Sequence, residues 1–564
     1  MRMRGALTVG MAICALGLLG VVPRDITAQG ATALSGVVSS HEEGKMEGVV
    51  VSARRDGANV TVSVVSDARG QFGFPRTHLE PGRYTLTIRA VGYDLTAPAS
   101  VVLAAGKVAR LDLALRKTRD LSSQLSSLEW AMSMPGPTDQ KDAFVYQAES
   151  CAYCHTYERI VKSKYTAEQW VPVITRMLRY YPDGTASSND GRGRGQMQSK
   201  NGLEAADRSP SWGIVPGVPK VALAQYLATV NLSGGRTTWP YELKTVPRPT
   251  GKATRVIVTQ WDQPRKDTVS HDMDMDASGT PWYSDESRMF IGKLDPNTNT
   301  FTEYPLPSVP AGDIPGARDV QVDGDGNLWF PMRVAGGAAV LTKFDVKTQK
   351  LTSVDGAGGQ FMGLGPDGKI WAGFTRVDPT TMKVDRKFTW NNSPNLPPGP
   401  HGGYADLVAV NSKGNPYATD FRGSYIFGID VTTGEARFWP TPTRDSMPRR
   451  GLIDGQDRFW FAEYTGDKIA MFDTRTEKFQ EWPAPYKYTN PYTVSRPDGK
   501  GRVYSSSNMS ERLMRLDPTT GELIEYQIPT NFDAKKILID PTNHNVIWMA
   551  NTRSARLLRV EPLD

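Results

Sequence analysis

Asp454-Gly455, a short spacer, and then Trp460-Phe-Ala-Glu-Tyr-Thr-Gly-Asp-Lys-Ile469 form one copy of a phrase that returns through the second half of the chain. A polar turn precedes a strand that carries an aromatic residue. Trp282, Trp329, Trp371, Tyr417, Trp460, Tyr504 and Trp548 each follow such a turn, as at Asp276-Ala-Ser-Gly279, Asp323-Gly-Asp-Gly326, Pro366-Asp-Gly368 and Asp498-Gly499. Successive aromatics lie 47, 42, 46, 43, 44 and 44 residues apart. A period near 44 residues with strand-like alternation marks the blades of a β-propeller, in which each small sheet buries its faces only against its neighbours. Seven aromatics predict seven blades over residues 250–564. A second turn recurs at Asp295-Pro-Asn-Thr, Asp430-Val-Thr-Thr-Gly and Asp517-Pro-Thr-Thr-Gly, each leading to a strand such as Phe301-Thr-Glu-Tyr304. The last blade reaches Glu561-Pro-Leu-Asp564 without that turn and strand. Residues 252–261 have the form of the missing piece, so they are expected to pair with the final blade and close the ring, which removes two exposed sheet edges.

Upstream of the ring, Cys151-Ala-Tyr-Cys-His155 has the spacing of a covalent c-type haem site. Two thiols one helical turn apart reach the two vinyl groups of one porphyrin, and the next residue turns its imidazole to the iron. A zinc site would need a fourth ligand nearby, and the closest other histidines are His78 and His271. Only three cysteines exist, and the third, Cys14, lies in a segment expected to be cleaved. One covalent haem c is therefore expected, with Cys151 and Cys154 as anchors and His155 as an iron ligand. Two methionines stand as the second axial ligand: Met177, on the apolar face of a predicted helix, and Met197, in a Gly/Arg-rich loop. Thr166-Ala-Glu-Gln169 has the capping-box form, Trp170, Ile174, Met177 and Tyr181 recur at helical spacing, and residues 221–230 read as a closing helix.

At 564 residues the chain is long enough for several domains. Arg2 and Arg4 precede an apolar run from Ala6 to Val22 with small residues beyond it, the layout of a signal peptide over residues 1–30. No other run approaches the roughly 18 apolar residues that a spanning helix needs, so no transmembrane segment is expected in the mature chain, and the expected location is periplasmic or secreted. The net charge is +6, or +4 without residues 1–30, and basic residues are scattered, which argues against nucleic-acid binding.

Residues 33–116 alternate apolar and polar positions with turn residues between the runs. The order of phrases Ser35-Gly-Val-Val38, Ser66-Asp-Ala-Arg-Gly-Gln-Phe-Gly-Phe74, Pro81-Gly-Arg-Tyr-Thr-Leu86 and Val91-Gly-Tyr93 resembles the carboxypeptidase regulatory-like domain. That resemblance implies a small transthyretin-like β-sandwich, grouped with carbohydrate-binding-like folds and without peptidase residues. Residues 117–135 read as a linker. Residues 136–235 resemble a small all-α cytochrome c domain, and Arg159-Ile160, Glu168-Gln-Trp170 and Arg176-Met177 are similar to haem domains of quinohaemoprotein amine dehydrogenases, which favours Met177 as the distal iron ligand. The whole is thus expected to be mainly β and multidomain.

The blade text, including Ile291-Gly-Lys-Leu-Asp-Pro296 and Thr302-Glu-Tyr-Pro-Leu-Pro307, is similar to virginiamycin B lyase-like propellers. That resemblance implies elimination on a cyclic depsipeptide, assisted by histidine and a carboxylate-bound magnesium ion, and His271, His401 and Glu463 are the residues carried toward the role. Blade topology separately places the blade-start residues His271, Arg318, Asp319, His401, Arg449, Arg450, Lys535 and Lys536 on one face. Asp285, Glu286, Arg333, Asp420, Arg422, Glu463, Asn508, Asn551 and Arg553 should meet them there. A cation-rich mouth is expected, suited to an anionic small molecule or an acidic partner surface. Three function classes follow. One is a single-haem electron-transfer protein whose ring binds a substrate or redox partner. The second is a magnesium-dependent lyase, and the third a non-catalytic binding or scaffold protein that contacts a glycan or the cell wall.

Overall fold

The recurring Asp-to-aromatic phrase has a bond behind it. Nε1 of Trp282, Trp329, Trp460 and Trp548 donates to Oδ2 of Asp276, Asp323, Asp454 and Asp540 at 3.2, 2.8, 2.8 and 2.9 Å. The Tyr504 hydroxyl donates to Asp498 at 2.9 Å. A buried indole N–H left unpaired costs on the order of 1–3 kcal/mol, so the turn aspartate belongs to the blade as much as the aromatic does. Blade three departs from the rule: Gly365 takes the aspartate's place, and Trp371 Nε1 is buried without a hydrogen-bond partner.

The computed structural model describes residues 31–147, 152, 155–177, 220–310, 315–336, 338–359, 361–402 and 408–564. Six four-stranded antiparallel sheets follow one another from Met273–Met275 to Leu523–Gln527. The seventh blade is built from both ends of the ring. Ile537–Ile539, Ile547–Asn551 and Arg556–Pro562 supply three strands, and Val256–Asp262 pairs antiparallel with the last of them from Val256↔Pro562 to Asp262↔Arg556. The expected closure is present. Ile537–Ile539 also packs against Met273–Met275 of the first blade.

The closing strand has a second partner that the repeat gave no hint of. On its other edge it pairs with Val60–Val65 of the N-terminal sandwich, from Ile257↔Val64 to Trp261↔Val60. Blade seven and one sandwich sheet are therefore a single eight-stranded sheet, which runs on through Val50–Arg55 and Gly82–Arg89 to Ala99–Leu103. Alternation along the strands explains how one sheet serves two cores. Ile257 joins Val51, Val62 and Val64 in the sandwich core. Val256 and Val258 turn the other way and pack with Val50, Val65, Tyr504, Leu513 and Tyr526 in the ring. The opposing sandwich sheet is centred on Thr32–Ser40, which pairs with Gly44–Lys45, Gln71–Pro75, Ala109–Arg110 and Leu113–Lys117.

Between sandwich and ring the described residues hold five short helices: α1 (Ser127–Ser133), α2 (Thr138–Asp142), α3 (Glu158–Val161), α4 (Ala167–Met177) and α5 (Lys220–Val230). Residues 117–135, read as a linker, carry α1 with a Ser126/Glu129 capping box and a Trp130 that is fully buried. A polar run with a Met-Pro-Gly-Pro end looked like a linker because the Ser-x-x-Glu signal was embedded in it. The box expected at Thr166 is formed, with Thr166 N donating to Gln169 Oε1 at 3.0 Å, and Trp170 and Ile174 of α4 are buried. Leu223, Tyr226 and Leu227 of α5 are buried with them, as the spacing predicted. This core is not self-contained: Tyr488 and Met509 of blade six enter it, and Leu128 N donates to Met509 O at 2.9 Å. Among the described residues no helix is long and apolar enough to cross a membrane.

Candidate functional site

The axis of the ring is filled by charged groups that neutralise one another. Arg450, 3% exposed, donates through Nη1 to Asp272 Oδ1 at 2.5 Å and through Nη2 to Asp272 Oδ2, and reaches Asp319 at 3.7 Å. Lys536 lies 3.6 Å from Asp319, Lys535 pairs with Asp533 at 2.7 Å, and Arg318 pairs with Glu286 at 3.2 Å. The expected cation-rich mouth is corrected on this point: these cations belong to a buried ion-pair network. The pairing was invisible in sequence because Arg450 and Asp272 stand 178 positions apart and meet only when the ring closes. Burial raises the Asp272 carboxyl, yet the Arg450 guanidinium wins and holds it well below the usual carboxylate range.

The three residues carried toward catalysis sit apart in character. His271 is buried on the axis, its Nδ1 3.0 Å from Asp272 Oδ1, and burial pushes its pKa down to about 4. His401 lies on blade four with both ring nitrogens engaged, Nδ1 to Asp420 Oδ2 at 2.5 Å and Nε2 to Pro397 O at 2.6 Å. Partial burial lowers its pKa, and the Asp420 carboxylate and the carbonyl more than offset this, leaving it raised. Glu463 ends a strand of blade five with both carboxylate oxygens buried and unpartnered, and burial, then the neighbouring Glu481, pushes it up to about 8. No group of three or more His, Cys, Asp or Glu among the described residues is arranged to hold a metal ion. Glu463 is thus a neutral acid near pH 7, and the folded state holds a proton there that the unfolded chain releases. Stability should therefore fall as pH rises from about 4.5 to about 8 on its account. Glu463→Gln, which copies the protonated shape, is expected to raise the melting temperature at pH 8 and flatten that decline. Equal pH slopes for variant and parent would refute the assignment.

The ring reaches Ala152. Arg553 of blade seven is fully buried; it donates to Ala152 O, to Asn508 O at 2.6 Å and to Asn531 Oδ1 at 3.2 Å. Blades five and six supply further contacts: the Tyr146 hydroxyl donates to Asp467 Oδ2 at 2.6 Å, and the Tyr488 hydroxyl to Asp142 at 2.7 Å. The sequence places Arg553 on this face but carries no signal of its partner, nor of the Tyr146–Asp467 contact. His155, three residues after Ala152, is half-buried, and its Nδ1 donates to Thr156 O at 2.8 Å. That bond leaves Nε2 with its lone pair, and burial pushes the pKa down to about 4, so the ring is neutral. Cys151, Cys154, Met197 and the side chain of Met177 lie outside the described residues, so the remaining expected haem ligands have no structural account.

Residues 33–116 match the family model of the carboxypeptidase regulatory-like domain. No curated protein matches the chain. Among solved structures, virginiamycin B lyase from Staphylococcus aureus is 17% identical over 54% of this chain and 99% of its own, with a TM-score of 0.45. A streptogramin B lyase is 17% identical over 55% and 99%, with a TM-score of 0.47. Hydrazine synthase of Kuenenia stuttgartiensis is 15% identical over 51% and 95%, with a TM-score of 0.40.

Proposed function

We propose that this chain is an exported electron-transfer protein in which Cys151, Cys154 and His155 would hold one haem c, joined to a seven-bladed ring that recognises a substrate or redox partner. The observation that carries the reading is the seating of Ala152, inside the attachment stretch, on Arg553 of the ring. The donor set fits haem at the one ligand that is described. A histidine that gives its Nδ1 proton to a backbone carbonyl presents a fixed, neutral Nε2, the arrangement that iron ligation requires. Bound haem would supply one-electron exchange. The chain's own residues do the rest: Thr156 O orients the imidazole, Arg553 holds the segment on the ring, and Tyr157, Phe144 and Ile160 keep water from the surrounding core. Met177 and Met197 stand as alternative ligands on the second side.

A reading without haem is supported by the ring itself and by Glu463, an acid kept protonated near neutral pH, together with the His401–Asp420 pair. On that reading the chain is a binding or scaffold protein, or a magnesium-dependent lyase acting on a cyclic peptide or lactone. One experiment separates the readings. Protein matured with a haem c assembly system should give a haem-staining band on a denaturing gel, and the band should vanish in Cys151→Ala/Cys154→Ala. A colourless product whose two thiols are joined as a disulfide removes the electron-transfer reading, and magnesium-dependent turnover with an unchanged visible spectrum establishes the lyase.

A further inference from the structure

One cavity belongs to neither the ring's axis nor the cysteine stretch. It lies where sandwich, helical segment and ring come together and has a volume of about 450 Å³, inside the roughly 300–1,000 Å³ range of small-molecule sites. Its polar lining comes from all three parts: Arg89 and Asp94 of the sandwich, Gln124 ahead of α1, and Glu511 and Asn531 of the ring.

Most of these groups are already committed. Arg89 donates through Nη1 to Ile528 O and Thr530 O, each at 2.9 Å, and pairs through Nη2 with Glu511. Gln124 donates to Tyr93 O at 3.0 Å and to Asp94 Oδ1 at 2.9 Å, and accepts from Gly92 N at 2.7 Å. With the guanidinium paired to Glu511, what the lining offers an incoming molecule is mainly acceptor capacity. The lining holds two carboxylates against one guanidinium, a formal charge of −1. Ile88, Leu95 and Pro529 add an aliphatic wall. Tyr93 is 2% exposed, so no aromatic face is free to stack on a sugar or a base.

We propose that this junction cavity binds a small aliphatic amine, with its ammonium group against the Asp94 carboxylate and its alkyl chain along Ile88, Leu95 and Pro529. The site stands independently of the haem reading. An occupant would touch all three parts of the molecule at once, and Asn531, in its wall, accepts a hydrogen bond from the same Arg553 that holds Ala152. Binding there should therefore raise the melting temperature of the whole chain, because a ligand that binds only the assembled junction stabilises it by mass action.

The test is calorimetric titration of the full-length protein with 1,4-diaminobutane and with 1,4-butanediol as a neutral counterpart of the same carbon chain. The expected result is saturable one-to-one binding of the diamine, weakened by added salt, and at least about tenfold weaker in Asp94→Asn, in which the side chain still accepts from Gln124. Thr87→Trp, at the exposed rim, should abolish binding without lowering the melting temperature. The proposal falls if the diol binds as well as the diamine, if Asp94→Asn binds unchanged, or if no saturable heat appears up to about 10 mM diamine, well above a millimolar Kd. A haem stain on the same sample reports separately on the electron-transfer reading.

Discussion

Thr259→Pro is expected to be among the most damaging single substitutions in the chain. Thr259 stands in the middle of the closing strand, opposite Arg559 on one side and Val62 on the other, and it is buried. Proline has no N–H for either ladder, and its ring clashes with the neighbouring backbone. Within sheets it is accepted only at edges and bulges. The expected cost is about 3 kcal/mol or more, the scale of a proline placed where it both removes a backbone bond and collides. Its particular signature is breadth. Because the same strand closes the ring and continues the sandwich sheet, both should lose stability together. Trp261, stacked on Trp548 at 5.3 Å, gives a fluorescence report from the seam. Circular dichroism and tryptophan emission should show one transition displaced to lower temperature, whereas Thr259→Val, which keeps the β-branched shape, should stay close to the parent. A variant that melts at the parent temperature, or in which only the sandwich is lost, would show that the seam carries no shared stability.

Arg450→Ala should come next. The substitution leaves the Asp272 carboxylate buried on the axis with its main cation gone, and breaking a buried pair from one side costs on the order of 3–5 kcal/mol. Asp319 would lose a partner in the same step, though Lys536 remains near it. The pH dependence has a definite sign. In the parent Asp272 is held below its usual range, so its contribution is present at neutral pH and lost on acidification. In Arg450→Ala the same buried carboxyl keeps only the His271 contact, so its pKa moves up from its depressed position. The variant's deficit should therefore shrink as pH falls and Asp272 takes up a proton. Replacing both partners with apolar side chains, as in Arg450→Met/Asp272→Leu, should recover much of the loss. Denaturant titrations at pH 5 and 8 on the parent and the two variants check this, and a double variant no better than Arg450→Ala would point to a role in packing instead.

The repeat carried the ring into view because its periodic element is local. An aspartate six residues before a tryptophan, as in three of the seven blades, or eight before it in the last, is both a sequence signal and the hydrogen bond that fixes the blade corner. Its departures are readable as well, since Gly365 stands six residues before Trp371 and Asn411 six before Tyr417. The capping signals at Thr166 and Ser126 are of the same kind, although the second is embedded in a polar run that reads as a linker. The candidate site was harder. Residue types and their face of the ring followed from topology, but whether a cation is open to a ligand or spent on a neighbour depends on who faces it across the axis.

By itself the sequence determined the number of blades, the strand that closes them and the sandwich ahead of them, because each is written within a few dozen residues. Only the tertiary structure decided that the closing strand is shared with the sandwich, that Arg450 and its neighbours neutralise Asp272 and Asp319, and that Arg553 seats Ala152 on the ring. Those contacts join residues from about 130 to about 400 positions apart, and the burial that gives them their strength exists only once the ring has closed and the helices have packed on its face.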